Sequence, residues 1–246
     1  MKKKHILFGL PILLFCSSTF PDTSIPLITS HTQAGGTTYS ANIEILLLMT
    51  LLTFLPAMLM TMTSFMRIII VLGLLRQAIG LSQTPSNQIL VGLSLFMTIF
   101  IMSPVFQKID TQAVQPYMNN QITLMTALDD AGKPLHNFML NQTRKNDLNF
   151  FINLAGIQTI THRENIPFTV LIPAYMTSEL ETAFQIGFIL FIPFLIIDLI
   201  VSSTLMAMGM MMVSPMVISM PLKVMLFVMI NGWHLIFQTL ANSFYK

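Results

Sequence analysis

The residues able to do chemistry in this chain are few, and most stand isolated in apolar surroundings. Arg67, Arg76, Glu179, Glu181, Asp198 and Lys223 flank or interrupt long uncharged runs, and His234 lies inside one, beside Trp233. Groups of this kind serve ion pairing, proton transfer or metal ligation. Metal ligation lacks its spacing: His31, His136 and His162 are scattered, and Cys16 is the only cysteine, so neither a thiolate cluster nor a disulfide can form. No HExxH, GxSxG or phosphate-loop pattern occurs, so hydrolytic and nucleotide chemistry have no machinery. A lone histidine beside a tryptophan reads as a hydrogen-bonded packing residue rather than a proton relay. The reading is of a protein that is not an enzyme, with no catalytic residue, no metal and no cofactor, whose charges serve ion pairing.

Ion pairing becomes pressing where the charge meets hydrocarbon. A charged side chain at a membrane centre costs roughly 2.5 to 3.5 kcal/mol on insertion scales. Lys223 opens the last apolar run, so it must either reach water at a helix end or meet a carboxylate. Glu179 and Asp198 are the available carboxylates, within the chain or across subunits. Arg67, Arg76 and Asp198 otherwise read as orientation or interface charges.

The elements that must position these groups follow from composition. Of 246 residues, 54% are hydrophobic and only 9% charged, with a mean hydropathy of +0.72; a soluble domain carries about a quarter charged residues. The net charge of +2 is scattered, which leaves no basic stripe for nucleic acid. Uncharged runs cover Ile45–Met66, Gln77–Gln107, Thr182–Ile197, Leu199–Leu222 and Val224–Tyr245. Because hydrocarbon offers no partner to backbone N–H and C=O groups, such runs must be helical. The expected fold class is all-α, a multi-spanning helical membrane protein with four spans near 43–66, 88–106, 182–202 and 222–242.

Lys2, Lys3 and Lys4, the apolar stretch Ile6–Phe15 and small residues to Ser18 form a secretory signal pattern over 1–18, too short to span a bilayer. Residues 19–42 then read as an extended leader on the outer face. Arg67 and Arg76, with no acid between Arg67 and Gln88, mark a cytoplasmic loop by the positive-inside rule. The region 107–181 is then periplasmic, with amphipathic helices around Leu135, Phe138, Met139 and around Leu148, Phe151, Leu154, interrupted by a turn at Gly132, Lys133 and Pro134. This places the chain in the bacterial inner membrane, with lipid as one partner.

Within Pro173–Phe188, Ser178 and Glu181 form a capping box that predicts a helix start. Ala183 and Gly187 give a small-xxx-small face where another helix can approach. Nineteen residues separate Glu179 from Asp198, about 28 Å of helix, so these acids sit near opposite interfaces. Seven methionines lie between Met206 and Met220, with Met210, Met211 and Met212 consecutive. Flexible apolar filler is the plain reading of such a run; Pro215 and Pro221 predict an irregular loop there.

Four segments together resemble the FliP family of type III secretion export-gate proteins: Pro173–Phe188, Phe191–Leu199, Met208–Pro215 and Thr63–Arg76. The likeness runs from about Ile43 to the C-terminus, through long irregular motifs in the same order. It implies a core pore-forming subunit, built of kinked helical hairpins at 43–106 and 182–246. Several copies would assemble, with the small export-gate membrane subunits, into a helical ring in the flagellar basal body. Unfolded flagellar proteins would be the cargo. The resemblance also implies that Met210, Met211 and Met212 seal the pore and that Glu179 and Lys223 form an intersubunit ion pair. The signal pattern favours the flagellar branch. A small-solute transporter or channel is the alternative, but it would show repeated halves with matching helix breaks, and Pro56 and Pro104 have no counterpart pattern in Pro193, Pro215 and Pro221.

Overall fold

The computed structural model describes residues 28–33, 36–41, 43–81, 83–157, 166–210 and 212–245. The signal pattern, Cys16, His162 and Met211 lie outside the described residues. The chain divides into two units, Met1–Phe54 and Leu55–Lys246. In the first, β1 (Ile28–Gln33) and β2 (Gly36–Ala41) pair antiparallel, Ile28 opposite Ala41 and Gln33 opposite Gly36. The leader, expected to be extended, thus folds back on itself as a ribbon, helped by threonines that suit strands. Everything else regular among the described residues is helical.

Helix α1 (Ile43–Met62) ends at a break over Thr63 and Ser64, and α2 (Phe65–Ile79) follows. Helix α3 (Asn87–Ile109) continues through a π-turn at Asp110–Val114 into α4 (Gln115–Met118). Then come α5 (Leu124–Gln142), α6 (Lys145–Leu154), the 40-residue α7 (Phe168–Ala207), α8 (Pro215–Met229) and α9 (Gly232–Phe244).

Helix α2 is the hub. Its run of Ile68, Val71, Leu72 and Leu75 is fully buried among Ala183 and Phe194 of α7, Leu90 and Ile101 of α3, Phe227 of α8, and Ile236, Leu240 and Phe244 of α9. A second cluster joins Met139 of α5 and Leu148 of α6 to Leu171, Ala174 and Tyr175 of α7. Helix α7 therefore threads both clusters and passes without interruption through the domain boundary expected at 181.

Several local expectations are corrected by this packing. Ser178 and Glu181 do not cap a helix start, because α7 begins ten residues earlier, at Phe168. The Gly132–Pro134 turn does not form: α5 runs through it, with Pro134 buried and the Gly132 site facing Phe168 of α7, where a Cβ would meet the ring at 3.6 Å. Lost helical hydrogen bonding at Pro134 is offset by tertiary contact. Arg67 and Arg76 are not in a loop: both lie inside α2, Arg76 in its last turn. Pro221 lies inside α8, and Pro215 opens it at the first helical turn, where its missing N–H is harmless.

Two continuous helices, Asn87–Met118 and Phe168–Ala207, are long and apolar enough to cross a membrane, with mean hydropathies of 2.3 and 2.5. Counting α1 with α2 and α8 with α9 as bent spans raises the number to four; the α8–α9 bend is 65°. Only 17% of the most apolar α7 window is buried within the chain, and Phe184, Phe188, Ile189, Leu195, Ile196 and Leu199 face outward. An apolar helix this bare fits lipid or other membrane subunits as its surroundings.

The α2–α7 seam closes around Gly187, where an added Cβ would lie 2.2 Å from Leu74 Cδ1 and 3.3 Å from Leu74 Cβ. The small residue lets the two helices approach. Gly187→Val is expected to lower stability by about 1–3 kcal/mol through overpacking, and Leu74→Ala in the same chain should recover part of it. Thermal unfolding in detergent checks both; equal melting temperatures for the single variant and the parent would refute the close approach.

Candidate functional site

The geometry of the charged residues starts from Arg67, which is 2% exposed, and Glu179, which is fully buried. They face each other because α2 and α7 pack along their length, one turn from the Ala183–Gly187 approach. Arg67 Nε donates to Glu179 Oε2 at 2.8 Å, and Nη2 donates to Oε1. Nη1 donates to the carbonyl oxygen and hydroxyl of Ser243 at 3.2 and 3.0 Å. Nη2 also donates to Gln142 Oε1 at 3.2 Å. The five N–H groups of a guanidinium thus meet five acceptor contacts. Gln142 Nε2 donates to the Phe244 carbonyl at 3.0 Å, and the Phe244 ring lies 3.8 Å below the Arg67 Cζ, a cation–π geometry. Four helices, α2, α5, α7 and α9, therefore close on one cation.

A second rung lies one turn earlier on α7. The Tyr175 hydroxyl, fully buried, donates to the Thr63 carbonyl at 2.8 Å, which partners a backbone group at the α1–α2 break. On the neighbouring face, Ser178 Oγ accepts from Arg144 N at 3.0 Å and donates to Asp147 Oδ2 at 2.6 Å, so a residue of α7 caps the start of α6 from outside. Glu181 pairs with Arg144. His136 Nε2 donates to the Ile166 carbonyl at 2.7 Å, and its ring meets Phe168 edge-on. His234, expected to pack, is exposed. Among the described residues no cluster of His, Cys, Asp or Glu could hold a metal ion.

Lys223 is buried, and its Nζ donates to Asp198 Oδ2 at 2.6 Å across the α7–α8 hairpin. Ser219, one turn back on α8, donates to Asp198 Oδ1 at 2.6 Å. The need that prompted a Glu179–Lys223 bridge is thus met inside the chain: Glu179 is taken by Arg67 and Lys223 by Asp198. Arg76 is also engaged, donating from Nη1 to the Pro85 carbonyl at 3.1 Å and to Asn87 Oδ1 at 2.7 Å.

Above the Asp198–Lys223 pair sits the methionine loop. Helix α7 ends in a left-handed Gly209 (φ +75°), with Gly209 N donating to the Met206 carbonyl and Met210 N to the Leu205 carbonyl, both at 3.0 Å. This paired closure is a Schellman-type stop. Met206, Met208 and Met210 are all exposed, and Met212 is completely so. None of these four thioethers belongs to the buried core.

Sequence reasoning left Lys223 to pair with Glu179 or Asp198, the resemblance favouring Glu179; within the chain Lys223 meets Asp198, and Glu179 meets Arg67, which had read as an orientation or interface charge. That reasoning missed Gln142, Ser243 and Tyr175. No spacing signal links these residues, because their contacts cross 75 or more positions; a buried arginine in an uncharged run was the one local hint that several acceptors had to converge on it.

Membrane-length apolar helices around a buried polar network, with every donor of its cation engaged, define a polytopic helical membrane protein. Residues 48–240 match the FliP family, and the chain belongs to that family. It is 54% identical over 234 residues to the flagellar biosynthetic protein FliP of Buchnera aphidicola subsp. Baizongia pistaciae, covering 95% of this chain but 65% of that protein. The chain thus spans about two thirds of the length of that relative. Against the flagellar biosynthetic protein FliP of Pectobacterium carotovorum subsp. carotovorum it is 50% identical over 240 residues, covering 97% of this chain and 93% of the relative. Against that of Bacillus subtilis it is 47% identical over 205 residues, with 83% and 93% covered. The family is one of flagellar export components and not of enzymes.

Removing Arg67 would strand the buried Glu179, and breaking a buried pair from one side costs about 3–5 kcal/mol. Arg67→Ala and Glu179→Ala are each expected to unfold the purified protein at markedly lower temperature in detergent. Replacing the pair together, Arg67→Met with Glu179→Leu, should regain much of the loss, since no charge is left unpaired. A double variant as unstable as the worse single one would mean that the Ser243 and Gln142 contacts, not the ion pair, hold the four helices.

Proposed function

We propose that this chain is a pore-forming subunit of the flagellar protein export gate, multi-pass in the bacterial inner membrane and part of the flagellar basal body. Copies of it, with the small export-gate membrane subunits, would form a helical ring that conducts unfolded flagellar proteins. The observation that carries the reading is the methionine loop, exposed at the tip of a hairpin whose stem is fastened by buried Lys223 pairing with the partly exposed Asp198. A ring of such tips, one from each copy, makes an apolar constriction. Unbranched thioethers adapt their shape to many side chains, so the same closure can exclude small solutes and still yield to a passing polypeptide. The bare outer faces of α3 and α7 support contact with lipid and neighbouring subunits.

Family membership disfavours the small-solute transporter, and the Arg67 network disfavours any role for the buried charges in moving ions. Arg67 has all five of its N–H groups engaged by fixed partners, whereas a pathway needs groups that exchange them.

The test is conductance. Substituting Met210, Met211 and Met212 together by Ala should leave the complex assembled and make cells carrying it leaky to small solutes. Parent-level leakage from a correctly assembled variant complex would overturn the gate assignment.

A further inference from the structure

The methionines described between Met206 and Met220 differ in what they approach. Met206, Met208, Met210 and Met212 are exposed in the loop, whereas Met216 and Met220, themselves 56% and 37% exposed, reach back from the first turns of α8 to the α2–α3 turn. At Gly80 a Cβ would lie 3.8 Å from both Met216 Cε and Met220 Cγ, so the two side chains meet at the glycine that ends α2. Gly80 holds φ at +90°, with Gly80 N donating to the Gln77 carbonyl at 3.0 Å and Leu81 N to the Arg76 carbonyl at 3.2 Å. Glycine adopts that conformation without the penalty a side chain brings. Arg76 braces the same turn through its contacts to Pro85 and Asn87.

These contacts fall on one face of α8. Met216, Ser219, Met220 and Lys223 follow the i, i+3, i+4, i+7 spacing; Ser219 and Lys223 bind Asp198 of α7, while Met216 and Met220 bear on Gly80. The base of the loop is gripped from two sides, by a polar clasp on α7 and an apolar one on the α2–α3 turn. We propose that the Gly80 turn, acting through Met216 and Met220, is a positioning element for the methionine loop. A shift of the turn then moves the loop without any change in the loop itself. This rests on the gate reading, which it extends from the plug to the part that sets the plug's place.

The experiment uses the full export complex, with a spin label at Val213→Cys in a Cys16→Ser background to read loop mobility, alongside solute leakage. Met216→Ala with Met220→Ala should leave the complex assembled, raise label mobility and raise leakage severalfold. Gly80→Ala should act in the same direction, because a Cβ at 3.8 Å crowds nothing and its effect must come from the strained φ. Assembled complexes of the Met216 and Met220 variant with parent-level leakage and label mobility would overturn the proposal. If that variant does not assemble, Met216→Leu with Met220→Leu decides: an assembled complex with a parent-like loop supports positioning, and failure to assemble overturns it in favour of a role in assembly alone. A shifted label in the Met216 and Met220 variant, together with unchanged leakage on removing Met210, Met211 and Met212, would sink the gate reading while leaving the positioning contact in place.

Discussion

The arrangement depends on the demand of one buried guanidinium. Arg67 is only 2% exposed, and each of its N–H groups must find an acceptor or the fold bears the full desolvation penalty. Glu179 alone cannot satisfy it, since a carboxylate takes two of the five donors in a bidentate pair. The remaining three require acceptors from other elements, and those come from the end of α5 and the last turn of α9. The cation therefore dictates that helices far apart in sequence end at the same place. Hydrophobic packing alone is tolerant of small slides between helices. A five-contact cation with fixed fork geometry is not, and it pins the register of α2 against α7.

From that fixed point the molecule changes character along its length. Near Arg67 the α2–α7 seam combines hydrogen bonds, buried aliphatic side chains and the glycine approach at Gly187. Toward the far end of α7 the contacts thin to a single hairpin, held by Asp198 with Lys223 and Ser219. Beyond that pair Val201 and Leu205 are the last buried residues of α7, and the described methionines of the loop stand exposed. Under the gate reading proposed above, such a gradient would let the loop yield while its frame stays folded, because low-stability segments are the ones that move.

The sequence disclosed the parts of this that depend on local composition. Uncharged runs marked the helices, since hydrocarbon leaves the backbone no alternative. The Ala183–Gly187 spacing marked a face where another helix draws near, and the methionines marked the loop. What it did not disclose were the partners. Ser178 and Glu181 have the spacing of a capping box, yet Ser178 caps a different helix, because Phe168 to Thr177 find burial enough to continue α7 backward. Gly132 and Pro134 have the chemistry of a turn, yet packing against Phe168 carries α5 through them. The pairing of Glu179 with Arg67, rather than Lys223, turned on which helix lies beside α7 at that height. Helical periodicity is silent on that question, and the resemblance pointed to another partner.

The bare surface completes the logic. Helices α3 and α7 bury little of their apolar area within the chain, so what encloses the polar network is local. The last turn of α9 folds over the Arg67 site, with the Phe244 ring 3.8 Å from the guanidinium carbon and the Phe244 carbonyl held by Gln142. The outward apolar faces are then released from service to the core. They are free to meet lipid or other membrane subunits, while the ion pairs inside tie α2 and α8 to α7.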